Sequence, residues 1–302
     1  MQQHHILITG GNGLIGKHLT HALLQQGHKV SHLSRKPAAI PQVTTHLWNI
    51  TERQIDEHCI AGVDTIIHLA GAGVANKRWS ARRKQEIVDS RTQSIRLIYD
   101  LLKRRPHQVN TVISASATGY YGNRGNEVLT EGSTPAHDFL GVCCMEWEAA
   151  VDKGKALGLR IVKYRTGVVL STEGGALPEL AKPIKMGIGA PLGSGEQYIP
   201  WIHLQDVVDQ YLLAVNNPNL QGVFNMTAPQ PATNRQLTQA VARQLKKPLW
   251  LPAVPAFVLK LLFGEMSVVV LGSTRAVPQA LEQENYTFKY PVITDALKEI
   301  YG

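Results

Sequence analysis

Ile6-Leu7-Ile8-Thr9-Gly10-Gly11-Asn12-Gly13-Leu14-Ile15-Gly16 is the stretch whose reading decides the fold. Ile6 to Thr9 reads as a short buried strand, and Leu14 to Gln26, closed by Gly27, reads as a helix. Between them Gly10, Gly13 and Gly16 stand in a GxxGxxG spacing. Gly10 permits the tight turn, Gly13 lets a pyrophosphate approach the backbone, and Gly16 lets the helix pack closely. The helix N-terminus then turns free N–H groups and a favourable dipole toward an anion. Asn12, Leu14 and Ile15 lie in the same cradle and join the three glycines as expected contacts. A purely structural turn is the competing explanation.

Outward from the cradle, Val30 to Leu33 reads as a second strand, and its end carries Ser34-Arg35-Lys36. A site built for NAD places Asp or Glu there, about 20 residues past the cradle, to accept from the adenosine 2′-hydroxyl. Here a hydroxyl is followed by two cations. Arg35 can bind a 2′-phosphate as a fork and Lys36 as a point charge. NADP(H) is therefore the expected cofactor. A pair of solvated loop cations is the alternative.

Farther along, Thr65 to Leu69, Thr111 to Ser114 and Arg160 to Tyr164 read as strands, with helices over Ser80 to Lys103 and Val142 to Leu157. This alternation predicts an α/β fold of Rossmann type, a doubly wound parallel sheet with ligands along one edge. After about Leu170 the chain turns rich in Gly and Pro. Residues 1–170 and 201–226 are expected to form the Rossmann domain, and 171–200 and 227–302 a smaller, interleaved substrate-side lobe.

Composition narrows the function. The 302 residues are 44% hydrophobic and 18% charged, with a net charge of +8. No apolar run reaches the roughly 18–20 residues that span a bilayer, and no export signal precedes the first strand. No membrane partner is expected. The basic clusters lack interleaved aromatics, so they read as solvated faces and not as a nucleic-acid surface. Cys59, Cys143 and Cys144 form no CxxC pair and no zinc spacing, so no metal site is expected and a reducing cytoplasm fits best.

The chain resembles the extended short-chain dehydrogenase/reductases over nearly its whole length. Besides the cradle, His68-Leu69-Ala70-Gly71-Ala72 resembles the segment that lies along the cofactor in that family. Ser114-Ala115-Ser116-Ala117-Thr118-Gly119-Tyr120-Tyr121-Gly122 resembles its serine-bearing segment with one extra residue. Arg165 and the run Ile199 to Asp206 match further segments. Lys77-Arg78-Trp79, Ser90-Arg91, Phe139-Leu140 with Trp147-Glu148, and Gly264-Glu265-Met266-Ser267 with Arg275 and Pro278 are similar to an atypical branch, the sugar-nucleotide-epimerase-like proteins. The resemblance implies cofactor contacts at Asn49, Ile50, Leu69, Ala70, Gly71, Ala72, Arg78, Ser90, Ser114, Arg165 and Val168.

One departure from that family bears on chemistry. Its reductases use a Ser with a Tyr and Lys in YxxxK, the Lys lowering the Tyr pKa. Ser116 stands at the Ser position. The helix that should carry YxxxK reads Asp138-Phe139-Leu140-Gly141-Val142-Cys143-Cys144-Met145-Glu146-Trp147-Glu148. One alignment puts Leu140 and Cys144 at the two places; the other puts Val142 and Glu146 there. Candidates to stand in are Tyr120 or Tyr121, with Arg165 helping to lower the phenol pKa, and Glu146 as a carboxylate base. Each competes with an ordinary structural role, as does His203. Two functions follow: an NADP(H)-dependent oxidoreductase or epimerase on a small polar substrate, nucleotide-linked or free, or a non-catalytic NADP(H)-binding or sensing protein.

Overall fold

The computed structural model describes residues 2–302. In chain order its first half contains β1 (His5–Thr9), α1 (Leu14–Gln25), β2 (Lys29–Ser34), β3 (Val43–Asn49), β4 (Gln54–Ile55), β5 (Thr65–His68), α2 (Ala81–Arg104), β6 (Thr111–Ala117), β7 (Val128–Leu129) and α3 (Phe139–Asp152). There follow β8 (Arg160–Thr166), β9 (Val168–Leu170), α4 (Ala176–Lys185), β10 (Tyr198–Ile199), β11 (Trp201–His203), α5 (Leu204–Asn216), β12 (Gly222–Met226), β13 (Ala232–Thr233) and α6 (Asn234–Gln244). The chain closes with α7 (Ala256–Phe263), α8 (Val268–Leu271), β14 (Arg275–Ala276), α9 (Gln279–Gln283) and α10 (Ile293–Tyr301).

Eight strands form one sheet in the order β12-β8-β6-β5-β1-β2-β3-β4, parallel except for β4. From β1 the chain winds outward to β2 and β3, then returns to β5 and winds the other way. The reversal between β1 and β5 leaves a crevice at the strands' carboxyl ends, where ligands bind in such sheets. This is the Rossmann fold.

Period-2 alternation explains the two cores. In β1, Ile6 and Ile8 join Leu19 and Leu23 of α1 and Val207 and Tyr211 of α5, whereas Leu7 joins Ile95 and Ile98 of α2 and Trp147 and Val151 of α3. Each such buried side chain contributes about 1.5–3 kcal/mol. A third core spans Leu170, Leu177, Trp201, Leu237, Val241 and Leu297, so β9 and β11 pack against α4, α6 and α10.

The expected helix over Val142 to Leu157 begins earlier, at Phe139, because the Asp138 carboxylate accepts from Gly141 N–H (2.8 Å) and caps it. The α-helix ends at Asp152, and Lys153–Leu157 continue as a 3-10 turn. No helix among the described residues is long and apolar enough to cross a membrane.

Candidate functional site

Parallel pairing brings the sequence motifs to one edge. Thr9 lies opposite both Leu33 and His68, His68 opposite Ser114, Ser116 opposite Arg165, and Ser34 opposite Leu47. The strand ends at Gly10, Ser34, Asn49, Leu69, Ser116 and Arg165 thus border one crevice.

The cradle glycines differ in what surrounds them. Gly10 has φ +72°, and a Cβ there would lie 3.0 Å from the Leu69 carbonyl carbon and oxygen. At Gly16 a Cβ would meet Gly10 O at 2.5 Å and Gly11 Cα at 2.6 Å, so the helix seats on the cradle itself. At Gly13 only Gly10 O, at 3.3 Å, comes near. That face stays open for a phosphate. Gly13 is also the N-cap of α1, and no side chain caps the helix there, so the first-turn N–H groups, those of Leu14 and Ile15 among them, keep their donors for an anion. Asn12 is exposed in the turn.

At the end of β2, Ser34 Oγ accepts from Lys36 N–H (3.3 Å). Arg35 and Lys36 are exposed, and among the described residues neither makes an ion pair. Asn49 ends β3 and folds its side chain back onto the Thr51 and Glu52 N–H groups, with Ile50 half-buried beside it. An unpaired fork and point charge at this edge, beside an uncapped helix, fit a dinucleotide carrying a 2′-phosphate.

The Leu69–Ala72 segment is held from beneath and from the side. Thr9 Oγ1 accepts from Leu69 and Ala70 N–H (3.1 Å each). Ser90 Oγ accepts from Ala72 N–H (2.9 Å), and Arg91 donates to Ala72 O (3.1 Å). Arg83 donates to Gly73 O (2.6 Å). Gly71 is left exposed. Ser90 therefore supports this loop. Arg78 reaches away to Leu261 O in α7 (3.1 Å). Ser114 is buried, its hydroxyl donating to Ala115 O and meeting His68 Nδ1 (3.2 Å). Burial, with Arg91 nearby, pushes His68 down to a pKa of about 3, so it is neutral.

Beyond Ser114 lies a buried charged cluster. Ser116 Oγ donates to Glu148 Oε1 (2.7 Å). Arg165 grips both oxygens of Glu148 (2.8 and 3.0 Å), and Lys163 bridges Asp152 (2.7 Å) and Glu148 (3.7 Å). Arg165 also donates to the Tyr121 hydroxyl (3.0 Å) and Glu131 O (3.1 Å), and stacks over the Tyr120 ring at 3.4 Å from its centroid. Arg165 is thus placed as the anchor of this cluster. Val168 pairs with Trp201 in the β9–β11 ribbon.

Tyr121 is fully buried, and its hydroxyl donates to Asn225 Oδ1 (2.6 Å). Burial outweighs Arg165 and pushes its pKa up to about 12, opposite to the lowering expected of a phenolic base. Tyr120 is half-buried, and among the described residues its hydroxyl makes no hydrogen bond. On α3 the faces settle the alignment. Leu140 packs on Gly119, a Cβ there lying 3.3 Å from Leu140 Cβ, and Cys144 Sγ lies 3.6 Å from Ala117 O. Val142 and Glu146 are exposed on the opposite side. Leu140 and Cys144 therefore occupy the face that meets the serine strand, and burial pushes the Cys144 thiol up to about 12. Glu146 points to solvent, and the carboxylate in the cluster is Glu148. Helical spacing was the overlooked signal: Glu148 lies four residues past Cys144 on the buried stripe, whereas Glu146 lies two past it. Lys163 and Asn225 carried no motif.

His203 caps α5, accepts from Gln205 N–H (3.0 Å), and meets Glu299 Oε2 (2.8 Å). Burial lowers its pKa although Glu299 opposes the shift. Among the described residues no cluster of His, Cys, Asp or Glu could hold a metal, and all three cysteines are buried and free. Past Tyr121 the chain enters an open groove of about 500 Å³ lined by Gly125, Asn126, Ser194, Gln197, Tyr198 and Thr233.

Residues 6–227 match the NAD dependent epimerase/dehydratase family, and residues 254–300 match a domain of unknown function, DUF1731. An epimerase family protein of Mycobacterium bovis is 37% identical over 293 residues, 97% of this chain and 96% of its own. The chloroplastic SDR39U1 homolog of Arabidopsis thaliana is 35% identical over 301 residues, 98% of this chain and 86% of its own. The crystal structure of human epimerase family protein SDR39U1 (isoform 2) with NADPH superposes with a TM-score of 0.85 at 29% identity, covering 98% of this chain and 99% of that one. Sheet order, cradle and sequence agree: the chain belongs to the NAD-dependent epimerase/dehydratase family of extended short-chain dehydrogenase/reductases.

Proposed function

We propose that the chain binds NADP(H) across the carboxyl edge of its sheet and serves hydride transfer on a small polar molecule, as an oxidoreductase or epimerase. The observation that carries the cofactor is the end of β2, where Ser34-Arg35-Lys36 replaces an acidic residue and both cations are free of carboxylate partners. The human relative was crystallised with NADPH. In this reading Gly10 to Gly16 receive the pyrophosphate at the start of α1, Arg35 and Lys36 the 2′-phosphate, and Asn49 and Ile50 border the adenine side. Leu69 to Ala72 lie along the dinucleotide, held by Ser90. When bound, the nicotinamide supplies or accepts the hydride. Ser116, whose proton is directed to Glu148, has lone pairs left to accept from a substrate hydroxyl, and Tyr120 is the phenol left for proton transfer.

A charge-assisted contact to phosphate contributes on the order of 1.5–3 kcal/mol. In equilibrium titrations NADPH should therefore bind about tenfold or more tightly than NADH, and Arg35→Asp should abolish or reverse the preference. Equal affinity of the unmodified protein for both cofactors overturns the reading.

A second reading, a non-catalytic NADP(H)-binding protein, is favoured by Leu140 and Cys144 at the places of the family's Tyr and Lys. Offering aldehydes, ketones and keto-sugars to the NADPH-loaded protein separates the two. Substrate-dependent loss of NADPH absorbance supports an enzyme, and none across all three classes supports a binding protein.

A further inference from the structure

The smaller lobe carries apolar side chains in solvent. Phe257 is 72% exposed, Leu261 77%, Trp250 68% and Met186 60%, with Ile188 and Leu262 also exposed. They form one strip because two segments run side by side. The Trp250 indole donates to Gly187 O (3.0 Å), Leu192 bridges Val254, and Val254 N–H donates to Pro191 O (2.8 Å). α7 starts two residues later, and Phe257 and Leu261, four apart, share one of its faces.

The charges around the strip are predominantly positive. Residues 179–196 and 243–265 contain Lys182, Lys185, Arg243, Lys246, Lys247 and Lys260 against Glu179, Glu196 and Glu265, of which Glu196 pairs with Arg235 and Glu265 with Lys84. All six cations are exposed, and among the described residues none makes an ion pair.

From this juxtaposition we infer that the strip formed by 186–193 and 250–262 seats on the surface of an anionic lipid bilayer. Protruding, unpocketed Phe and Leu side chains need a yielding apolar medium, and a bilayer's acyl boundary supplies one. Trp250, an amphipathic ring with its N–H already satisfied, suits the headgroup level. The long Lys side chains can lay their stems along the apolar strip while their charges reach lipid phosphates. A second copy of the chain is disfavoured, because it would set two predominantly cationic surrounds against each other. A spanning run is not needed for this mode, and so its absence in the sequence does not bear on it. The strip is assembled from two segments about sixty residues apart and becomes visible only in the fold.

Vesicle flotation tests the inference with the full chain. The protein should float with vesicles of phosphatidylglycerol and phosphatidylcholine, and bind vesicles of phosphatidylcholine alone on the order of tenfold or more weakly, with salt weakening the first. Phe257→Ser combined with Leu261→Ser should abolish flotation. Lys246→Glu combined with Lys247→Glu should weaken it on the order of tenfold. Leu47→Ser, an exposed apolar residue outside the strip, should leave it unchanged. Retained NADPH affinity and an unchanged thermal transition in each variant show that the fold persists. Absence of flotation overturns the inference, as does flotation indifferent to the double Ser variant. A dimer in light scattering that the double Ser variant splits, without vesicle binding, assigns the strip to a second copy instead.

Discussion

At the dinucleotide end of the crevice, polar groups are left uncommitted. α1 has no side-chain cap, a Cβ at Gly13 would meet only Gly10 O, and Arg35 and Lys36 have no carboxylate partner. At the other end nearly every polar group already has a protein partner. Ser116 donates to Glu148, Glu148 is gripped by Arg165, and Tyr121 donates to Asn225. A group that binds a ligand must keep hydrogen-bonding capacity in reserve, whereas a buried group left without a partner costs stability. The first end is thus arranged to receive an anion. The second is arranged to hold β6, α3 and β8 together, with the Tyr120 hydroxyl uncommitted.

The comparison breaks most visibly at Glu148. Glu148→Gln should lower stability by about 3–5 kcal/mol in chemical denaturation, because Arg165 would stay buried without its compensating carboxylate, whereas Lys163 keeps Asp152. Glu146→Gln should change it by no more than about 0.5 kcal/mol. Equal effects would mean that the cluster does not hold this end together.

Those two carboxylates also show what a sequence reveals. The cradle and the cations after β2 were legible because their geometry is local: a strand, a turn and a helix in continuous sequence. Ser116 was legible through its segment. Glu148, and not the expected Glu146, is the carboxylate that faces inward, because helical periodicity and not mere nearness in sequence decides which side of α3 is buried. Lys163 and Asn225 meet their partners only through sheet pairing. Strand β3, Val-Thr-Thr-His-Leu-Trp-Asn, was also passed over. Its Thr and His residues give no clean apolar alternation, and only Trp48 is buried. Tyr120 and Tyr121 stay open alternatives in the sequence, since adjacent residues in the 3-10 turn after β6 point different ways and the sequence does not say which enters the core.

The neutral part of the committed end can be sharpened by pH. His68 is held neutral in the folded chain, with its pKa lowered from 6.5 to about 3. Below pH 6.5 the unfolded chain takes up a proton that the folded chain refuses, so the stability His68 contributes is present above 6.5 and is lost as pH falls toward 3. By pH 5 the loss should reach about 2 kcal/mol. His28, His32 and His203, also lowered chiefly by burial, add to it with the same sign. Denaturation followed from pH 7 to pH 5 should show this fall, and His68→Gln should flatten its slope. An unchanged slope in that variant would place the titration elsewhere.

A smaller contrast separates the two tyrosines. Tyr121→Phe removes the hydroxyl that Asn225 accepts from and Arg165 donates to, and should cost about 1–3 kcal/mol. Tyr120→Phe should cost about 0.5 kcal/mol or less. If a substrate is turned over, activity should follow Tyr120 and not Tyr121, and the reverse would place the proton donor within the buried cluster.

Titration of NADPH into Gly13→Val and Ser116→Ala, with folding checked by the thermal transition, tests the central contrast most directly. A branched side chain at Gly13 meets little protein but fills the space a pyrophosphate must enter, so binding should be lost with the fold intact. Ser116→Ala should hold NADPH within about threefold of the unmodified protein, less than about 0.7 kcal/mol. Normal NADPH affinity in a folded Gly13→Val protein would contradict the assignment of this cradle to the cofactor.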